Sequence, residues 1–175
     1  MHDCYNPAMK ELFNGSGWIL TEEEAPLPDG RIAKRTRASF ADTVHILAFD
    51  ANGKLLVLRE FRPFYKNYIW MLPSGHVDKE TNPLAAAHRE LREETGFAAG
   101  SMKFLWSARS SEKFKNQHLF YLASGLKNDP LPQDSDELIE VHHLNLEEAL
   151  SNILESPMVH MSSAYALLRY LHEKK

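Results

Sequence analysis

The residues predict an α/β fold: an α/β/α sandwich with a mixed sheet and a small N-terminal β appendage. Three observations point to it. Short apolar runs bounded by turn residues read as strands from residue 43 to residue 144. Helical segments interrupt and follow them, one opening at Pro83 and two near the C-terminal end. Residues 1–38 differ in character from the remainder, so the expected division is an appendage at 1–38 and a main domain at 39–175.

Within the appendage, Trp18-Ile19-Leu20 precede the acidic Glu22-Glu23-Glu24. Pro26, Pro28, Asp29 and Gly30 then supply turn chemistry, and Arg31 to Arg37 form a basic strand-like run. In the main domain, runs 43–49 and 54–59 flank Asp50-Ala51-Asn52-Gly53, which reads as a hairpin. Tyr68 to Leu72 lead into Pro73-Ser74-Gly75, where the chain must turn. A helix is expected over 83–95, with Pro83 in its first turn and Gly96 at its stop. Strand-like runs follow at 102–108, 117–123 and 138–144. Asn145 opens a helix to about Leu154, and a Ser-capped helix runs from about Ser163, with Tyr165, Leu168 and Leu171 expected in the core.

Composition bounds the function. The net charge of −4 argues against nucleic acid or an anionic membrane as a partner, while small polyanions need only local positive charge. The single cysteine, Cys4, excludes an internal disulfide and fits a reducing, cytoplasmic setting. No apolar stretch has the length to cross a bilayer.

The segment that carries chemistry is GHVDKETNPLAAAHRELREETGF at 75–97. Glu90, Glu93 and Glu94 stand at i, i+3 and i+4, so they share one helix face. Leu84, His88 and Leu91 are expected on the opposite face, against the sheet. Clustered carboxylates raise one another's pKa unless positive charge relieves them, and a divalent cation does so. Magnesium suits carboxylates that bind it jointly with substrate phosphates. Taken alone, Glu-x-x-Glu-Glu is more often a solvated helix face, with Arg89 pairing Glu93 at i, i+4.

The context changes that weighing. Gly75 followed by Arg89-Glu90-Leu91-Arg92-Glu93-Glu94-Thr95-Gly96-Phe97 resembles the Nudix box, G-x5-E-x7-R-E-U-x-E-E-x-G-U, with U a bulky apolar residue. Every specified position but one matches, a coincidence on the order of one in a million by residue usage. The departure is Thr81, which stands where the family has its first glutamate; Glu80 lies one place earlier. Leu58-Arg59-Glu60-Phe61-Arg62-Pro63, Trp70 to Gly75 and Asp136 to Val141 are similar to the branch that hydrolyses ADP-ribose and nucleotide sugars. That branch's proline is missing at Arg109-Ser110-Ser111-Glu112, which leaves ADP-ribose and a nucleotide sugar equally open.

The resemblance implies a Nudix-type sandwich and magnesium-dependent hydrolysis of a nucleoside diphosphate linked to a sugar-like group. Glu90 and Glu94 would be the principal metal ligands, with Glu93 and the Ser74 carbonyl completing the site; manganese fits the same oxygens. Arg89 would orient the carboxylates, and Glu137 on a later loop would act as base. Arg62 would grip a substrate phosphate, Arg37 would reach across a homodimer formed through the N-terminal strands, and Phe40, Tyr65 and Tyr68 are candidates to stack on a base. The alternative is a catalytically weakened module that binds nucleotide ligands, which Thr81 favours.

Overall fold

The computed structural model describes residues 9–77 and 82–174. Thr81 and Glu80, on which the loop half of the box turns, lie outside the described residues.

β1 (Met9–Gly15), β2 (Trp18–Pro26) and β3 (Ile32–Ser39) pair antiparallel as a separate three-stranded sheet. Ser16 and Gly17 both have positive φ, the conformation that lets a two-residue turn follow the twist of its strands. This sheet is stitched to the rest at Ala38, whose N–H donates to the Lys113 carbonyl at 2.8 Å. The Glu23 carboxylate also pairs with Lys115 and with Arg37.

Two further sheets build the main body. One has the order β10–β5–β6, from β10 (Ile139–Leu144), β5 (Leu55–Arg62) and β6 (Asn67–Met71), all antiparallel. The other has the order β7–β4–β9–β8 and is mixed. In it β4 (Thr43–Ala48) runs parallel to β9 (His118–Asn128) and antiparallel to β7 (Ser74–His76). β8 (Phe97–Ala108) closes the edge antiparallel to β9.

Strand alternation distributes the core. Val44, Ile46 and Ala48 pack with Ala86, Ala87 and Leu91 of α1 (Pro83–Thr95). Leu47, on the other face of β4, packs with Ala149 and Ile153 of α2 (Leu146–Leu154) and with Ala164 and Leu167 of α3 (Met161–Glu173). The strands thus lie between α1 and the α2–α3 pair, an α/β/α sandwich with a mixed sheet. Among the described residues no helix is long and apolar enough to cross a membrane.

Several local expectations are corrected. The Asp50–Gly53 turn forms, and the Asp50 carboxylate accepts the N–H groups of Asn52 and Lys54 at 2.8 and 2.9 Å. Yet only Phe49 and Leu55 pair across it, and β4 and β5 then part into different sheets. Both edges of β4 are already taken by β7 and β9, so the turn chemistry does not yield a hairpin. The last helix starts two residues early, at Met161, with His160 at its cap position and no side-chain cap. Its buried side is Ser163, Ala164, Ala166 and Leu167, whereas Tyr165 and Leu168 are exposed. On α1, Leu84 is exposed and His88 only half-buried; Ala86, Ala87, Leu91 and Glu94 face the interior instead.

Candidate active site

Helix α1 is cut to length by its caps. The Asn82 side chain accepts the Leu84 N–H, and Gly96 closes the helix in the left-handed conformation. The frame this sets carries Glu90 and Glu94 to the inner edge of the helix, beside β7. The Ser74 N–H donates to Glu94 Oε2 at 2.8 Å. A Cβ built on Gly75 would lie 2.0 Å from the Glu90 carboxyl, so any larger residue there would displace that carboxyl from its present place.

Arg89 binds the cluster together. Its Nη1 lies 2.8 Å from Glu90 Oε1 and 2.6 Å from Glu93 Oε2, and its Nη2 donates to the His76 carbonyl at 3.1 Å. The i, i+4 pairing that would also suit a plain surface helix therefore forms, but in a part-buried site.

These groups open into a cleft of about 410 Å³ between the two main sheets, where Glu60, Arg62, Glu137, Asp134, His45 and His160 join them. Of the residues singled out from the sequence, Ser74, Arg89, Glu90, Glu94, Arg62 and Glu137 line it. Glu93 touches it through Arg89. Arg37 lies elsewhere in its own chain, donating to the Glu112 carbonyl at 2.9 Å and pairing with Glu23. Of the proposed stacking residues, Phe40 packs on Trp18, and Tyr68 lies under Arg59, its ring centroid 4.1 Å from the guanidinium; Tyr65 is exposed.

The electrostatics are those of crowded, buried carboxylates. Burial pushes Glu94 well above the usual range, Glu90 adds to this, and the Ser74 N–H only partly offsets it. Burial raises Glu90 to about 7 against the pull of Arg89. Glu137 is raised by burial and by Asp134 and Asp136. Glu60, paired with Arg62 at 2.9 Å, is also raised, first by burial.

A divalent cation fits this donor set. Glu94, buried, and Glu90, part-buried, share one wall and stay raised in pKa despite Arg89, and a hard oxygen-seeking ion would relieve both. Among the described residues no three acidic, histidine or cysteine side chains converge as a closed cage. Magnesium does not need one, since it is commonly held by one or two carboxylates together with substrate phosphates.

Sequence reasoning missed Glu60, His45, His118 and His160. A signal existed for two of them: Glu60 follows the apolar run Leu55–Leu58 within the same strand, and His45 interrupts the run Val44–Ala48. A polar group inside a strand buried on both faces needs a cavity or a partner. His118 and His160 are placed by β9 and by the start of α3, and nothing local marks them.

Comparison with known proteins agrees with this geometry. The NUDIX domain model matches residues 39–165. The chain is 31% identical to an ADP-ribose pyrophosphatase of Bacillus subtilis (strain 168), covering 96% of this chain and 92% of that protein. It is 30% identical to a methanol dehydrogenase activator of Bacillus methanolicus, covering 93% and 89%. A solved structure described as an ADP compounds hydrolase superposes with a TM-score of 0.75 at 21% identity, over 96% of this chain and 95% of that one, which bears on the fold. With the box on a cleft-lining helix and the family model spanning the main body, the chain belongs to the Nudix hydrolase family.

Proposed function

We propose that the protein hydrolyses, with magnesium, the diphosphate linkage of a nucleoside diphosphate sugar or of ADP-ribose, giving a nucleoside monophosphate and a sugar phosphate. The observation that carries this reading is the convergence of Glu90, Glu94 and Glu137 with Arg62 and Arg89 in one cleft. Similarity over most of the chain to proteins named ADP-ribose pyrophosphatase supports the substrate class.

The residues divide the work. Glu90 and Glu94, with Glu93 and the Ser74 carbonyl, would hold magnesium, which supplies positive charge against the phosphate oxygens. Arg89 spans Glu90 and Glu93 and so fixes the direction of both carboxylates. Arg62 offers a planar fork to a phosphate, and Glu60 behind it holds that fork in place. Glu137 takes the proton of the attacking water; its raised pKa makes it a stronger base than a free carboxylate once ionised. The setting we assign is cytoplasmic.

Incubation with magnesium and a panel of ADP-ribose, GDP-mannose, UDP-sugars, dinucleoside polyphosphates and nucleoside triphosphates tests the reading by product identity. A nucleoside monophosphate plus a sugar phosphate is expected. Absence of turnover on every diphosphate ester would sink it. A second reading, a nucleotide-binding module with weakened catalysis, draws on Thr81 and on similarity to a protein named as an activator. It requires binding without turnover in the same panel.

We extend the proposal to assembly, with residues 1–38 as the appendage through which two copies pair. Leu12, Phe13, Trp18 and Ile32 are exposed on its small sheet, which is too small to bury them alone.

A further inference from the structure

The start of α3 holds an imidazole that its own helix does not use. His160 stands at the cap position with extended backbone, φ −75° and ψ 92°, yet its side chain caps no backbone N–H. Its Nδ1 lies 2.7 Å from the hydroxyl of Ser163, which is fully buried and accepts the Leu72 N–H at 2.9 Å. Its Nε2 has no hydrogen-bond partner among the described residues and is not closed off from solvent. The ring lines the catalytic cleft together with Arg62, His45 and His118.

Donors and acceptors here have one consistent arrangement. Ser163 Oγ accepts from Leu72 and must still place its own hydroxyl proton. Among the described residues His160 Nδ1 is the acceptor within its reach. Were Nδ1 protonated instead, that buried hydroxyl proton would be orphaned, which costs more than a spare lone pair. Burial, helped by Arg62 and His118, pushes the His160 pKa down to about 4, so the ring is neutral near pH 7. Its single proton therefore sits on Nε2. The charged and titratable groups around it are Arg62 of β5, His45 of β4 and His118 of β9, with Glu60 and Glu137 on the same cleft. The relay also fixes where this donor stands. The Leu72 N–H is held by Ser163 and, two residues on, the Ser74 N–H is held by Glu94. One short segment thus ties α3, which carries the Ser163 end of the relay, to the carboxylates on α1.

We infer that His160 is a phosphate-binding residue, its Nε2–H donating to a non-bridging oxygen of the substrate diphosphate beside Arg62. A protonated Nε2 has no lone pair for a cation, so this edge of the ring serves an acceptor and not the metal. Non-bridging phosphate oxygens offer only lone pairs and negative charge, which match a fixed donor next to a guanidinium. A neutral donor also adds a hydrogen bond without setting a second positive charge against Arg62. The inference rests on the diphosphate-hydrolysis reading for the identity of the ligand.

The test uses methylenediphosphonate, an uncleavable mimic of the diphosphate linkage, bound to the full chain in magnesium buffer and followed by calorimetry. His160→Leu removes the donor, and His160→Gln returns an N–H at similar reach, with folding of both checked by circular dichroism and melting. His160→Leu should weaken binding about tenfold or more, and His160→Gln should recover most of that loss. The wild type gives a readout that needs no variant to bind: nitrogen NMR of its imidazoles, with His160 assigned by its absence from the His160→Gln spectrum. The ring should be protonated on Nε2 alone from pH 6 to 8, and its signal should move when methylenediphosphonate is added. Protonation on Nδ1, a signal indifferent to the ligand, or no binding by the wild type overturns the inference. So does His160→Leu binding within about twofold of wild type, or His160→Gln binding no better than His160→Leu. Turnover of the diphosphate panel is read separately on the wild type. His160-dependent binding without turnover would remove the hydrolysis reading and leave the phosphate contact; turnover with binding indifferent to His160 would do the reverse.

Discussion

Glu94 carries the sharpest conflict between stability and activity. It is a carboxylate 7% exposed, pushed up by burial and by Glu90, yet it is the proposed centre of the metal site. Folded Glu94 and Glu90 keep their protons at pH values where the unfolded chain, near 4.5, has lost them. The native state then binds more protons than the unfolded one, so stability of the metal-free protein falls as pH rises above 4.5, through about 7 for Glu90. Glu94→Gln should flatten that fall, read as melting temperature from pH 4.5 to 8 in chelator. The same variant should lower kcat/KM by roughly a hundredfold or more. An unchanged pH slope with intact activity would remove Glu94 from the site. The box carboxylates were legible one by one in the sequence. That their face is part-buried was not, because the i, i+3, i+4 spacing of Glu90, Glu93 and Glu94 also describes a solvated helix.

At the scale of elements, helix α1 was readable to its ends because both caps are local: Asn82 and Pro83 open it and Gly96 closes it. Helix α2 was readable for the same reason, with the Asn145 side chain accepting the Glu148 N–H at 2.8 Å. Helix α3 was not. Its serine at 163 looked like a cap, but the hydroxyl accepts the Leu72 N–H at 2.9 Å and pairs with His160 Nδ1 at 2.7 Å. It is thus a tie between α3 and the chain just before β7, 91 residues apart in sequence. Ser163→Ala leaves a buried N–H without its acceptor and should cost about 1–3 kcal/mol in urea unfolding, with the slope unchanged. A loss near zero would show that the backbone at Leu72 finds another acceptor.

For the molecule as a whole, the N-terminal sheet is the element that leaves large apolar side chains uncovered within one chain. Its exposed Phe13, Trp18 and Ile32 predict pairing with a second copy, and light scattering at assay concentration should give about twice 20.0 kDa. A monomer at that concentration would overturn the prediction. Arg37 belongs to the same question: within one chain it is spent on Glu23 and the Glu112 carbonyl, away from the cleft.

The sequence by itself determined the fold class, the limits of α1 and α2, and the box residues on α1, because each depends on neighbours a few positions away. Only the tertiary structure decided that β4 and β5 part company after their turn, that Glu60 and Glu137 join Glu90 and Glu94, and that His45, His118 and Ser162 form one hydrogen-bonded wall. Such partners are contributed by strands and helices distant in the chain. Sheet order and the packing of α3 against β4 bring them together, and neither leaves a periodicity or a spacing in the sequence to read.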